Sequence, residues 1–238
     1  MRSSARLLGA ALACALALAG CGSGPSDESS SGTDTSGADR TTLEQVTPTP
    51  ATGIPDDFPL SAGMGGPGDT IPTSRTGTGL RDLELCGTSP LRGLGTRDRM
   101  VADNSGGEAL HTRELVLLGS PDEAAQVAQA YTDLANGCDH AHGGRMETTS
   151  EVRDSPFGPA PAAVLVQGFD FGGEPGAGHV VVHVVPVGAA LLVTQMYGEW
   201  ADVTEGIDQT TALLADVVDA MSVLAGERAT AAQSGDVE

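Results

Sequence analysis

Three apolar runs in the second half of the chain constrain its fold more than any other feature. Ala163–Phe171 (AVLVQGFDF), His179–Val185 (HVVVHVV) and Ala189–Tyr197 (AALLVTQMY) are dense in residues that favour a pleated, buried strand. Turns at Gly172-Gly173, Gly176-Ala177-Gly178 and Pro186-Val187-Gly188 separate them from one another. Parallel neighbours need a crossover of a dozen or more residues, and these turns are far shorter, so the sheet reads as largely antiparallel. In the first half, Leu80–Leu85 (LRDLEL) alternates like a strand. Asp98–Asp103 ends at the turn Asn104-Ser105-Gly106-Gly107, and Leu110–Leu118 (LHTRELVLL) comes next. Ser120 then caps a helix with Pro121 at its first position, and Ala124, Val127, Ala128, Tyr131, Leu134 and Ala135 recur at helical spacing. Arg145–Val152 is a weak strand. A last helix over Val203–Leu224 buries Ile207, Thr211, Leu214, Val217, Val218, Met221 and Leu224. The expected fold is α+β: an antiparallel sheet of about six to seven strands with two main helices packed on it, in the order βββα-ββββα. Strands precede a helix twice, which leaves an internal duplication open.

The remaining sequence divides by composition. Arg2 and Arg6 precede an apolar stretch, Leu7–Ala19 (LLGAALACALALA), of 13 residues. About 20 are needed to span a bilayer, so residues 1–20 read as an export signal. Leu18-Ala19-Gly20-Cys21 resembles the lipobox of bacterial lipoprotein precursors, and that resemblance implies cleavage before Cys21 and a diacylglycerol thioether on it. The competing readings are an ordinary secretory signal with an accidental Cys, and a signal anchor. Residues 21–53 are a lipidated Cys followed by a Ser-, Gly-, Thr- and Asp-rich tether that cannot bury enough surface to fold. Residues 54–79 form a Pro/Gly-rich lead-in, in which Ile54–Leu60 is expected to lie extended on the surface. Residues 80–226 are the globular domain, and 227–238 a polar tail.

The 238 residues include 12 Arg, no Lys and 32 acidic residues, a formal net charge of -20. Loss of the leader removes Arg2 and Arg6, leaving ten Arg against 32 acids, near -22. Such a chain does not bind a phosphate backbone, so nucleic acid is not an expected partner. An anionic lipid surface would repel it, so its contact with the bilayer is expected through Cys21 alone. With Cys14 in the leader and Cys21 lipidated, Cys86 and Cys138 remain as an even pair in an oxidising compartment, and a disulfide between them is expected.

Several motifs imitate chemistry. Asp103-Asn104-Ser105-Gly106-Gly107 resembles the nucleophile turn of trypsin-like proteases with one residue inserted, but every His (111, 140, 142, 179 and 183) comes after it, whereas that order needs the base first. Gly63-Met64-Gly65-Gly66-Pro67-Gly68 matches G-x-G-x-x-G without the strand and helix that a dinucleotide site requires. His140 and His142 could both face a metal beside Asp139 and Glu147, yet two ligands of this kind are too permissive a pattern, and no metal or cofactor is expected. His179 and His183 share one strand face, since side chains alternate with period two. Aromatic residues are scarce, and Phe157, Phe169, Phe171, Tyr197 and Trp200 all fall near strand ends of the second half. Phe169, Phe171, Tyr197 and Trp200, with His179 and His183, are candidate lining residues of a ligand cleft. Rings that simply cap the core are the plainer alternative.

The order of elements is similar to that of a group of actinobacterial lipoproteins and of the extracellular sensor domain of the protein kinase H type. The stretches that carry the similarity are Glu114–Cys138 and Gly188–Leu224. The resemblance implies an antiparallel sheet with helices against it, a cleft, and ligand or cell-wall sensing. That domain type has two disulfides, whereas this chain can form one. No nucleophile–base pair or paired carboxylates stand out, so the chain is not expected to be an enzyme, and an envelope hydrolase is the least favoured reading. A membrane-anchored ligand-binding or sensor-like domain is expected, on the extracytoplasmic face of the cell membrane, for an unidentified small molecule. An accessory lipoprotein that binds another envelope protein is the alternative.

Overall fold

The computed structural model describes residues 52–106, 110–137, 140–143 and 146–225. The leader, Cys21, nearly all of the tether and the C-terminal tail lie outside the described residues. Among the described residues, no helix is long and apolar enough to cross a membrane.

The strands are β1 (Thr73–Ser74), β2 (Asp98–Asp103), β3 (His111–Leu117), β4 (His140–Gly143), β5 (Met146–Asp154), β6 (Ala163–Phe171), β7 (His179–Val187) and β8 (Ala190–Gly198). The helices are α1 (Pro121–Gly137), between β3 and β4, and α2 (Val203–Leu224), after β8. One sheet holds all eight strands in the order β1-β2-β3-β8-β7-β6-β5-β4, and every pairing is antiparallel. After the β2–β3 hairpin the chain crosses over through α1 to the far edge. It then meanders back until β8 closes against β3. The α+β class, the antiparallel sheet and the two packed helices agree with the sequence reading.

The helices lie on opposite faces. Both are capped in the same way: Ser120 Oγ accepts from Glu123 N and Asp202 Oδ1 from Glu205 N, while the carboxylates of Glu123 and Glu205 reach back to Gly119 N and Ala201 N. On one face α1 buries Ala124, Val127, Ala128, Tyr131 and Ala135 against Val116, Leu165, Val180, Val182, Val184, Leu191 and Val193. On the other, α2 buries Leu214, Val217, Met221 and Leu224 against Leu115, Leu117, Val185 and Leu192. A central strand covered on both faces has no wet side, and every residue of β3 is buried, including Arg113 and Glu114.

Three local expectations need correction. Leu80–Leu85 is not a strand: Leu83 N bonds back to Leu80 O, and Leu85 makes only an isolated bridge to Thr88. Leu80 and Leu85 are buried in the α1-side core from turns and Leu83 packs against it, because the Glu114 carboxylate captures Leu80 N at 2.7 Å and so holds the segment over the sheet. The lead-in does not lie extended on the surface. It turns at Phe58, whose N–H bonds Pro55 O, and buries Ile54, Phe58, Leu60 and Met64 beneath α2. In the first turns of α2 the buried stripe is Gly206 and Thr210 rather than Ile207 and Thr211. Trp200 sits where a Cβ on residue 206 would come within 2.6 Å of its ring, so only glycine fits there.

Arg113 fastens the α2 face. Its guanidinium is buried and donates to Leu60 O (3.0 Å), Ala62 O (2.7 Å), Leu213 O (3.1 Å) and His111 Nε2 (3.2 Å). His183, also buried, lies 2.7 Å from Thr210 Oγ1 through its Nε2. The Thr210 hydroxyl donates to Gly206 O, so His183 Nε2 carries the proton and Nδ1 is left as a buried acceptor with no partner among the described residues. Burial, and then the positive charge of Arg113, push both His111 and His183 down to about 4.

These shifts set an acid limit on stability. Both imidazoles are neutral when folded, whereas the unfolded chain takes up protons near 6.5. The stability they contribute is complete above about pH 6.5, falls as the pH drops from there to about 4, and levels off below. The loss is on the order of 2–3 kcal/mol for each histidine. Urea unfolding between pH 7.5 and 4 checks this. A midpoint that does not fall across that window would contradict it.

Candidate functional site

Because paired residues share a face, the ladder registers show which side chains meet. On the α1 side of the sheet, Ser150 is opposite Gln167, Gln167 opposite Val180, and Val180 opposite Tyr197. Along the same face Thr148 is opposite Phe169, and Met146 opposite Phe171. Val182 is opposite Gln195. Toward this end of the sheet the floor is no longer roofed by α1, whose Ala135 is the last of its buried residues. The loop Leu83–Cys86 and Leu110 form the remaining walls.

The result is a cleft of about 310 Å³, lined by Thr148, Ser150, Gln167, Gln195, Phe169 and Val180 on the floor. Leu83, Glu84, Leu85, Cys86, Leu110 and Ala135 complete its sides. Its polar side chains are neutral apart from Glu84, which pairs with Arg92 at 3.1 Å. At its outer end Phe171 is 55 % exposed and Met146 36 %. Cys86 occupies the left-handed region at φ 52°, beside Gly87 at φ 74°, which makes a tight reversal in the cleft wall.

The six residues proposed for the cleft from sequence do not share one site. Phe169 lines it. Tyr197 lies on the same face, packs against the α1-side core and donates from its hydroxyl to Ala177 O at 2.9 Å. Phe171 is on that face at the rim. His179 and His183 do share one strand face, but it is the α2 side. There His183 is sealed against Thr210 and 5.9 Å from the Phe157 ring, and His179 Nδ1 is buried without a partner among the described residues. Trp200 also lies on that side, with Val164, Val166 and Val181, and donates to Gln209 Oε1 at 3.0 Å. The face carrying the histidines is therefore the drier one.

Cys21 and Cys138 lie outside the described residues, as do the side chains of His140 and His142. Among the described residues, no group of three or more His, Cys, Asp or Glu is arranged to hold a metal ion. Asp103, Ser105 and Thr112 form a turn cluster, with Thr112 Oγ1 3.0 Å from Asp103 Oδ1 and 2.9 Å from Ser105 Oγ. Among the described residues no imidazole takes part in it, and His111 points to the opposite face. The Gly63–Gly68 run is a turn beneath α2. Gly63 and Gly65 have φ of 72° and 78°, and Gly66 N donates to Asp69 Oδ2. It borders a second hollow, of about 410 Å³, with Asn104, His111, Met196 and Leu213.

Sequence reasoning missed Gln167, Gln195, Thr148 and Ser150. The available signal was the polar interruption of otherwise apolar or alternating strands at positions that share a face with Phe169 and Val180.

No protein-family profile matches the chain, and no curated protein is similar to it. Among solved structures it is similar to the extracellular domain of PknH from Mycobacterium tuberculosis, at 17 % identity and a TM-score of 0.42, over 63 % of this chain and 79 % of that one.

Proposed function

We propose that the chain is a lipid-anchored, sensor-like binding protein of the extracytoplasmic membrane face, with its ligand held in the cleft beside α1. The observation that carries this reading is the cleft itself. Its volume of about 310 Å³ falls within the usual range of ligand sites, and an apolar enclosure there is combined with a few convergent polar side chains. The leader and the Leu18–Cys21 lipobox support the anchor, since two acyl chains hold a protein stably where one does not. The proposal includes a Cys86–Cys138 disulfide, which would tie the cleft wall to the residue after α1. In its support, Cys86 and Cys138 are the even pair that remains once Cys14 and Cys21 are set aside.

Metabolic labelling with a fatty-acid analogue is expected to mark the wild-type chain and not Cys21→Ala. Labelling of both, or of neither, would remove the anchor. Untargeted mass spectrometry of the intact chain isolated from membranes is expected to find a bound small molecule that Ser150→Trp, which fills the cleft, loses. Recovery of the same compound with that variant would place binding elsewhere. A reproducible envelope protein with no small molecule would favour an accessory role. Cys86→Ser is expected to cost about 2–4 kcal/mol in urea unfolding, and an unchanged midpoint would argue against the cross-link.

A further inference from the structure

Four half-buried side chains in the cleft are left to water or a ligand for their hydrogen bonds. Thr148, Ser150, Gln167 and Gln195 line it, and none of their hydroxyl or carboxamide groups has a protein hydrogen-bond partner among the described residues. All four are half-buried. A half-buried carboxamide offers two donors and a two-lone-pair acceptor, and leaving these unmatched by a ligand or water is costly. Gln167 and Gln195 lie diagonally across β7 on the two sides of the Val180–Val182 face, about 12 Å apart at their α-carbons by strand spacing and rise. They are long enough to approach one molecule from both sides. Charge is excluded more firmly than polarity. Among the described residues, the one ionised group of the lining is Glu84, already held by Arg92. No cation among the described residues lines the cleft to neutralise an acid.

The apolar surface extends beyond this polar centre. Phe169 lies in the cleft, and Phe171 and its cross-strand partner Met146 continue the same face outward. They are two of the three large hydrophobic side chains that stand exposed among the described residues. Residues two apart on a strand are about 7 Å apart, so the Phe169–Phe171 surface suits a short hydrocarbon arm.

We infer that the cleft takes an uncharged amphiphile, with a hydroxyl- or amide-bearing head on Thr148, Ser150, Gln167 and Gln195 and a hydrocarbon arm along Phe169, Met146 and Phe171. This rests on the reading of the cleft as a ligand site and adds the class of ligand. The head bonds both as donor and acceptor, which matches the two-sided chemistry of carboxamides and hydroxyls. The arm covers rings that otherwise face water.

The test uses the full chain carrying Cys21→Ser and four water-soluble probes: n-hexyl β-D-glucoside, glucose, hexanoate and hexylammonium. Binding is read from side-chain amide shifts of Gln167 and Gln195 in ¹⁵N NMR. Hexyl glucoside is expected to bind at least tenfold more tightly than either charged probe and than glucose. Gln167→Leu and Gln195→Leu should each weaken it three- to tenfold without altering the remaining amide spectrum. Phe171→Ser should weaken hexyl glucoside and leave glucose unchanged. Equal binding of hexanoate or hexylammonium would overturn the neutral head, and equal binding of glucose would overturn the arm. If hexyl glucoside moves neither glutamine while Ser150→Trp still strips a native compound, the ligand class is wrong and the cleft stands. If both fail, the cleft reading falls as well.

Discussion

Two opposite charges on consecutive residues of β3 organise the molecule. Neighbours along a strand point to opposite faces, so Arg113 enters the α2 side and Glu114 the α1 side, both out of contact with solvent. A cation stripped of water is costly unless hydrogen bonds replace its hydration. Arg113 meets that need with three main-chain carbonyls and one imidazole. Those carbonyls belong to the lead-in and to α2, so neither segment can leave without exposing the charge to an unsatisfied interior. Burial lowers the guanidinium to about 10, still charged at neutral pH. Glu114 takes two bonds from Arg99 and one from Leu80 N. Buried ion pairs are weak evidence of net stability, and the consequence here is positional. Leu80 begins the turn-rich segment whose Leu83–Cys86 part walls the cleft.

The acidic composition affects the cleft indirectly. With 12 Arg against 32 acids, cations are scarce, and several are held within the fold: Arg75 by Asp56 and Asp98, Arg92 by Asp82 and Glu84, Arg99 by Glu114. The Arg75 cluster secures the start of the lead-in to β2. There burial alone would raise the Asp98 carboxyl, but bonds from Ile54 N, Arg75 and Arg99 N outweigh it and hold the group below the usual carboxylate range. Arg92 spans the acidic pair that flanks the cleft wall.

The features legible in the sequence are those that periodicity and turn length control. The β6–β7–β8 meander, the β2–β3 hairpin and both helices arise from runs, caps and glycine turns. The features it concealed depend on partners distant along the chain. LRDLEL has the alternation of a strand, yet the hydrogen bond that decides its shape comes from Glu114, 34 residues on. Ile54–Leu60 has two prolines and reads as an extended surface stretch, but its burial depends on an arginine in β3. Leu110–Leu118 was legible as a strand, whereas its two charged residues would have marked it as the central one only if burial on both faces had been known. The aromatic cluster was legible as a group and not as a surface. Phe169 and Tyr197 are separated from Trp200 by the thickness of the sheet, and strand parity assigns a face only once the register is fixed.

That two-sidedness explains where a ligand site can form. At the helical rise, α2 with 22 residues is about 33 Å long and α1 with 17 about 26 Å. The longer helix is joined by the lead-in and Trp200, and together they leave Val164, Val166, Val181, His183, Val185 and Leu192 buried on their face. On the α1 face the second segment is the turn-rich stretch from Leu80, which packs Leu80, Leu85 and Leu91 into that core. Where α1 stops, the Leu83–Cys86 loop and Leu110 are the cover among the described residues, and the side chains of β5, β6 and β8 beneath change from Val and Leu to Thr, Ser, Gln and Phe. A fully covered position repays branched hydrocarbon, while a half-covered one tolerates groups that can still reach water. The composition of those strands therefore changes at the same place as their cover, and the polar residues that interrupt the apolar pattern mark the cleft.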